Sequence, residues 1–192
     1  MLGILIIVFI LYLVFLPLYP VVNYMLFQGR ISKADSQDMT TITEQTEIFM
    51  AEKKTEGEND FTNRLVIVKI GVSAPILEGL DENALDGGAW RLPGSSTPDQ
   101  GGNTIITGHR FKYLPPNNLI FYLFDKLTVG NIFSVFWDGR QYYYRIREIK
   151  RVPANDVNIL VPTGEPIVTM FTYDSIWSKT NRLVVIGERI EK

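Results

Sequence analysis

The first 29 residues of the chain carry no charged side chain, and the stretch 2–16 is almost wholly aliphatic and aromatic. In hydrocarbon such a segment must satisfy its own backbone N–H and C=O groups, which restricts it to a helix. With its continuation to Phe27 the run is long enough to cross a bilayer core of about 30 Å, so a transmembrane anchor over 1–27 is expected. A signal peptide is the competing reading, but a cleavable one carries a basic leading region and a small-residue cleavage site, and neither is visible in this run. Pro17 and Pro20 each remove a backbone donor, which a membrane helix tolerates or which ends it early. The nearest basic residues, Arg30 and Lys33, follow the span, and the positive-inside rule would place that flank in the cytoplasm.

Beyond the span the sequence turns polar. The stretch 34–46 is rich in Asp, Gln, Thr and Glu, and 53–60 is dense in charge. Such a segment buries too little apolar surface to offset its ordering entropy, so residues 28–63 are expected to form a flexible stalk or linker, with helix around 44–53.

From Arg64 onward short β-prone runs take over: 65–70, 104–107, 132–137, 142–149, 167–172 and 183–188. Asp138-Gly139 separates two of them and predicts a tight hairpin, because glycine accepts the positive φ that the favoured hairpin turns need. In the return run Tyr142, Tyr144 and Ile146 alternate with Tyr143, Arg145 and Arg147, the period of two expected of a half-buried strand. The segment 119–127 is apolar enough for a short helix or another strand, and 81–85 reads as a helical turn. Many short strands with few helices predict a mostly β domain over 64–192, closed or nearly closed into a barrel. The 192 residues, 46% hydrophobic, suffice for one core and an appendage. Nineteen Lys and Arg against 21 Asp and Glu, with no basic block, exclude the electrostatic footprint of a nucleic-acid binder. With no cysteine, the chain has no disulfide, no thiolate metal site and no thiol nucleophile.

Two stretches carry the chemistry. One is Gly101-Gly102-Asn103-Thr104-Ile105-Ile106-Thr107-Gly108-His109-Arg110, which holds the only histidine; the other is Thr169-Met170-Phe171-Thr172-Tyr173, followed nine positions later by Arg182. Together they resemble the active-site blocks of sortases, the cysteine transpeptidases that attach proteins to bacterial cell surfaces. The resemblance extends to the opening run Arg64 to Val72 with Ala74-Pro75-Ile76, to Gly87-Gly88-Ala89-Trp90-Arg91-Leu92-Pro93-Gly94-Ser95-Ser96-Thr97-Pro98 before the histidine block, and to the closing Arg182-Leu183-Val184-Val185-Ile186-Gly187-Glu188. Each landmark alone is weak; their order and spacing are specific.

The resemblance implies a closed eight-stranded β-barrel with short helices, an extracytoplasmic domain despite Arg30 and Lys33, and cleavage of a Leu-Pro-x-Thr-Gly-type sorting motif with transfer of the acyl group to a cell-envelope amine. It places His109 as acid and base, Arg182 at the oxyanion, and Thr172 beside the bound motif. Tyr173 stands where the family has its cysteine. Phenols ionise near pH 10 and thiols near 8.5, and oxygen is the poorer nucleophile toward an amide, so loss of thiol transpeptidation follows. The ring would also partly fill the acyl pocket. Ser175 and Ser178 lie nearby in sequence, but neither stands at the strand end that the motif requires.

Taken alone, a single histidine is usually structural and an arginine opening a strand an ordinary surface charge; the surrounding blocks favour the catalytic positions. Asn103, Thr104 and Thr107 read as strand and turn residues, and Tyr142 to Tyr144 as barrel packing. No cofactor or metal is expected: one histidine and scattered acidic residues make no convincing site, and although some sortases use calcium, no ligand set can be placed here. Gly87-Gly88 and Gly101-Gly102 read as turns rather than nucleotide-binding loops. A membrane-tethered module that binds sorting-motif peptides or envelope partners without cleaving them is the alternative function, and a structural domain with no ligand is a third.

Overall fold

The computed structural model describes residues 1–31, 39–55, 63–112, 116–117 and 119–191. Eight strands close into a barrel: β1 (Arg64–Ile67), β2 (Val72–Glu78), β3 (Ala89–Arg91), β4 (Asn103–Thr107), β5 (Ile132–Trp137), β6 (Arg140–Pro153), β7 (Ile167–Tyr173) and β8 (Asn181–Ile190). Their order around the barrel is β1-β2-β3-β4-β7-β8-β6-β5. The β2–β3 and β4–β7 pairs are parallel and the rest antiparallel. Closure leaves no unpaired sheet edge. The mostly β, closed eight-stranded barrel with short helices expected from the sequence is the fold.

Alternation along the strands separates an interior from an outer layer. Ile106, Val168, Met170, Leu183 and Val185 point into the barrel with Leu65, Phe133 and Tyr144, all at or near zero exposure. Their neighbours Ile105, Ile167, Phe171, Val184 and Ile186 form a second cluster with Val152 and Ile159, so the outer face of β4, β7 and β8 is covered by the β6–β7 connection. Asp138 and Gly139 adopt φ of 46° and 73°, the paired positive values of the tight hairpin joining β5 to β6.

One expectation needs correction. The run 65–70 is not one strand: β1 ends at Ile67 and a 3-10 turn, Val68–Ile70, reverses the chain at Gly71 into β2. The segment 119–127, expected as a short helix or another strand, forms turns and the short 3-10 helix Phe124–Lys126, with Phe121 and Phe124 stacked at 4.8 Å inside the barrel mouth. Tyr143 is 3% exposed, in keeping with the packing role expected of Tyr142 to Tyr144. It packs with Ile132 against Ile42 of α2 (Met39–Thr55), which covers that side of β6.

Helix α2 occupies the middle of the segment read as a flexible stalk; the flanking 32–38 and 56–62 lie outside the described residues. Ile42, Thr46 and Met50 recur at the four-residue spacing that lines one helix face. Ile42 and Thr46 are buried, and Met50 Sδ lies 3.9 Å from the hydroxyl of Ser73 on β2. Helix α1 (Leu2–Ile31) runs unbroken through Pro17 and Pro20. Its stretch Gly3–Leu26 is long and apolar enough to cross a membrane, a property that a signal sequence near an N-terminus shares. Val21 and Tyr24 rest against the barrel, and the Tyr122 hydroxyl donates to the Pro17 carbonyl at 3.0 Å.

Candidate active site

Strand register brings the two sequence blocks together. In the parallel β4–β7 pair Thr107 lies level with Phe171, so residues two further along each chain, His109 and Tyr173, emerge at the same rim of the barrel. In the antiparallel β7–β8 pair Tyr173 lies directly opposite Arg182, which puts their side chains on one face. His109, Thr172, Tyr173 and Arg182 all line one cavity of about 490 Å³.

Two threonines fasten the rim. Thr107 Oγ1 donates to the Phe171 carbonyl at 2.9 Å, and Thr172 Oγ1 donates to the Gly108 carbonyl at 2.8 Å. Thr172 is 3% exposed, so its hydroxyl ties β7 to the histidine segment. Gly108 is needed for space: a Cβ there would lie 3.0 Å from the Phe121 ring. Phe121 in turn donates its backbone N–H to the His109 carbonyl at 2.9 Å. Arg110 completes the clamp through the Phe121 carbonyl at 3.1 Å and the Asp125 carboxylate at 2.6 Å.

The His109 ring is about one-third exposed, and its Nε2 lies 3.8 Å from Asp86 Oδ1 on the 3-10 turn Glu82–Gly87. That separation is too long for a hydrogen bond, so the coupling is electrostatic. Lys112 is ion-paired with the same carboxylate. Desolvation pulls the imidazole below its ordinary value, the Lys112 charge adds to this, and Asp86 opposes it. Lys112 in turn holds the Asp86 carboxyl below the usual carboxylate value. The histidine is therefore neutral at neutral pH, able to accept a proton.

The Arg182 guanidinium lies 4.7 Å from the Phe171 ring centroid, a cation–π contact that fixes its stem beside the rim. Tyr173 is 37% exposed, with Lys179 Nζ 5.7 Å from its ring centroid. Among the described residues no group of three or more His, Asp or Glu side chains gathers to hold a metal ion. Asp86, Lys112, Lys179 and the apolar wall Leu92, Leu160 and Phe171 were not singled out from the sequence. Asp86 and Lys112 read there as two of many scattered charges; the 82–87 turn, packed on β2 and β3, brings Asp86 to His109, and Lys112 follows the histidine by three residues.

A sortase-domain family model matches residues 65–190. Sortase D of Bacillus subtilis (strain 168) is 25% identical over 130 residues, covering 66% of this chain and 62% of its own length. The chain thus matches about three-fifths of that relative. The Clostridium perfringens Sortase D5 transpeptidase is 28% identical with a TM-score of 0.60, covering 78% of this chain and 95% of that one. Sortase C-1 from Actinomyces oris is 27% identical with a TM-score of 0.61, covering 77% and 82%. A match across the whole barrel, with the histidine and arginine blocks meeting at one rim, establishes that this chain belongs to the sortase family.

Proposed function

We propose that the rim cavity is a sortase-type peptide site, built to take an extended Leu-Pro-x-Thr-Gly-type sorting motif and to pass its acyl group to a cell-envelope amine, and that the chain as written has lost thiol transpeptidation at Tyr173. The observation that carries this reading is the register: Thr107 level with Phe171 and Tyr173 opposite Arg182 put an imidazole, the residue at the family's nucleophile position and a guanidinium around one cavity.

In this reading the scissile carbonyl lies over the end of β7. A nucleophile at position 173 attacks it, Arg182 donates to the developing oxyanion, and His109 delivers a proton to the departing amine and later removes one from the incoming amine. Neutral His109 must first gain a proton, which in the family's chemistry comes from the thiol; a phenol at 173 gives one up less readily. Thr172 acts through the strand tie to Gly108. α1 serves as a single-pass anchor, with the barrel outside the cell membrane and residues 28–63 as the linker.

The absence of any cysteine in the chain favours a second reading, a tethered module that binds sorting-motif peptides without cleaving them. The full chain in detergent micelles and its Tyr173→Cys variant, each incubated with a quenched Leu-Pro-x-Thr-Gly peptide, separate the two. Cleavage by the cysteine variant alone supports a site silenced at one residue. Cleavage by both shows that the chain has its own nucleophile, and binding without cleavage by either supports the module. On the cysteine background, His109→Ala or Arg182→Ala should lower kcat/KM by about 10²- to 10⁴-fold.

A further inference from the structure

A second cavity, of about 590 Å³, opens on the same outer face at the far end of β4. It lies between the 93–102 connection and residues 160–164 of the β6–β7 connection, and it adjoins the rim cavity, since Leu92 and Leu160 line both. None of its lining side chains is charged. Asn103, 5% exposed, lies at its floor. The Asn103 amide nitrogen donates to the Val161 carbonyl at 3.0 Å, whereas its Oδ1 is buried without a hydrogen-bond partner. A buried amide acceptor left unmatched costs about 1–3 kcal/mol, so the position favours a ligand that brings an N–H.

We propose that this cavity binds the polypeptide immediately N-terminal to the sorting motif, as an extended, uncharged stretch whose backbone N–H reaches Asn103 Oδ1. The inference rests on the reading of the rim cavity as the motif site. Distance sets the alignment. Asn103, Ile105 and Thr107 share one face of β4, and at about 3.3 Å per residue Asn103 lies about 13 Å behind Thr107 and about 20 Å behind the level of His109. An extended motif with its scissile threonine at Tyr173 carries its leucine three residues, or about 10 Å, back along the strand. That is the apolar boundary formed by Leu92, Ile105 and Leu160, which suits leucine and proline and fixes the direction of the peptide. The next two or three residues upstream then fall in the second cavity, where the uncharged walls disfavour Lys, Arg, Asp and Glu.

The test uses the full chain in micelles and fluorescence anisotropy with two dye-labelled peptides: Leu-Pro-Ala-Thr-Gly, and the same motif preceded by Thr-Gln-Ser. The extension should tighten binding about five- to tenfold, the return on one or two hydrogen bonds. A Lys-Glu-Lys extension should lose that gain. In Gly164→Trp the ratio between long and short peptides should fall to about one, since the indole fills the cavity. A Cβ at Gly164 meets nothing within 4 Å, so the backbone there accepts a side chain, and thermal unfolding of the variant checks that the indole leaves the fold intact. Asn103→Leu should lower the ratio as well; its thermal unfolding is followed in parallel because the tie to Val161 is lost with it, and Gly164→Trp decides if it unfolds. Equal affinity for both peptides overturns the inference and leaves the motif site standing. Binding of neither peptide overturns the motif reading and the inference with it. A gain that survives Gly164→Trp places the extension elsewhere and also overturns it.

Discussion

His109 is the only imidazole in the chain, so its protonation can be followed by NMR without assignment ambiguity. Burial and Lys112 push its pKa down while Asp86 lifts it. Its titration midpoint should therefore lie below the ordinary value of about 6.5. Lys112→Ala should raise that midpoint and Asp86→Asn should lower it further. The same shift has a sign for stability. As pH falls below the ordinary imidazole value, the unfolded chain takes up a proton that folded His109 still refuses, so this group's contribution to folding declines there and is restored above it. Urea unfolding at a series of pH values, with His109→Gln as reference, should show that decline only in the parent. That His109, Tyr173 and Arg182 meet at one cavity was legible in the sequence because their flanking blocks are specific. Asp86 was not, because a carboxylate in a short turn carries no local mark of what packs beside it.

At the scale of elements, the rim depends on supports that do no chemistry. Phe121 fills the space that Gly108 leaves open and stacks on Phe124 at 4.8 Å. Truncation to alanine should cost about 3–5 kcal/mol, read from denaturant unfolding. Thr172→Val removes the donor to the Gly108 carbonyl at nearly constant volume and should cost about 1–3 kcal/mol. On the Tyr173→Cys background it should lower peptide cleavage chiefly through kcat, since a displaced His109 weakens proton transfer more than ground-state binding. The strands from β4 to β8 were legible from β-branched and aromatic runs and from the Asp138-Gly139 turn. Strand β3 escaped notice because three residues, Ala89–Arg91, are too few to display a period. That α2 is what covers Tyr143 also escaped, because alternation reports one covered face and cannot register a helix laid over the other. Helix α2 itself was half hidden by its polar composition, its apolar stripe being narrowed to Ile42 and Met50 around Thr46.

For the whole molecule, α1 and the barrel meet through Val21, Tyr24 and the Tyr122 hydroxyl, which reaches the Pro17 carbonyl. Since Phe121 holds the His109 carbonyl, the residue that touches the helix is adjacent to one that supports the histidine. If α1 anchors the protein, flotation of expressed membranes should carry the full chain with the bilayer and leave a 39–192 fragment behind. Ile42→Ala, which thins the packing of α2 on β5 and β6, should cost about 2–5 kcal/mol without changing flotation. The parallel pairing of β4 with β7 also bears on how the molecule comes into being. Gly108 and Thr172 are 64 positions apart, and the whole β5–β6 hairpin lies between them. A contact of that separation forms only after a long loop has closed, the kind of topology that folds in milliseconds to seconds rather than microseconds. Until then His109 and Arg182 belong to separate stretches of unfolded chain, so a newly made molecule has no rim cavity, and whatever that cavity binds must wait for barrel closure.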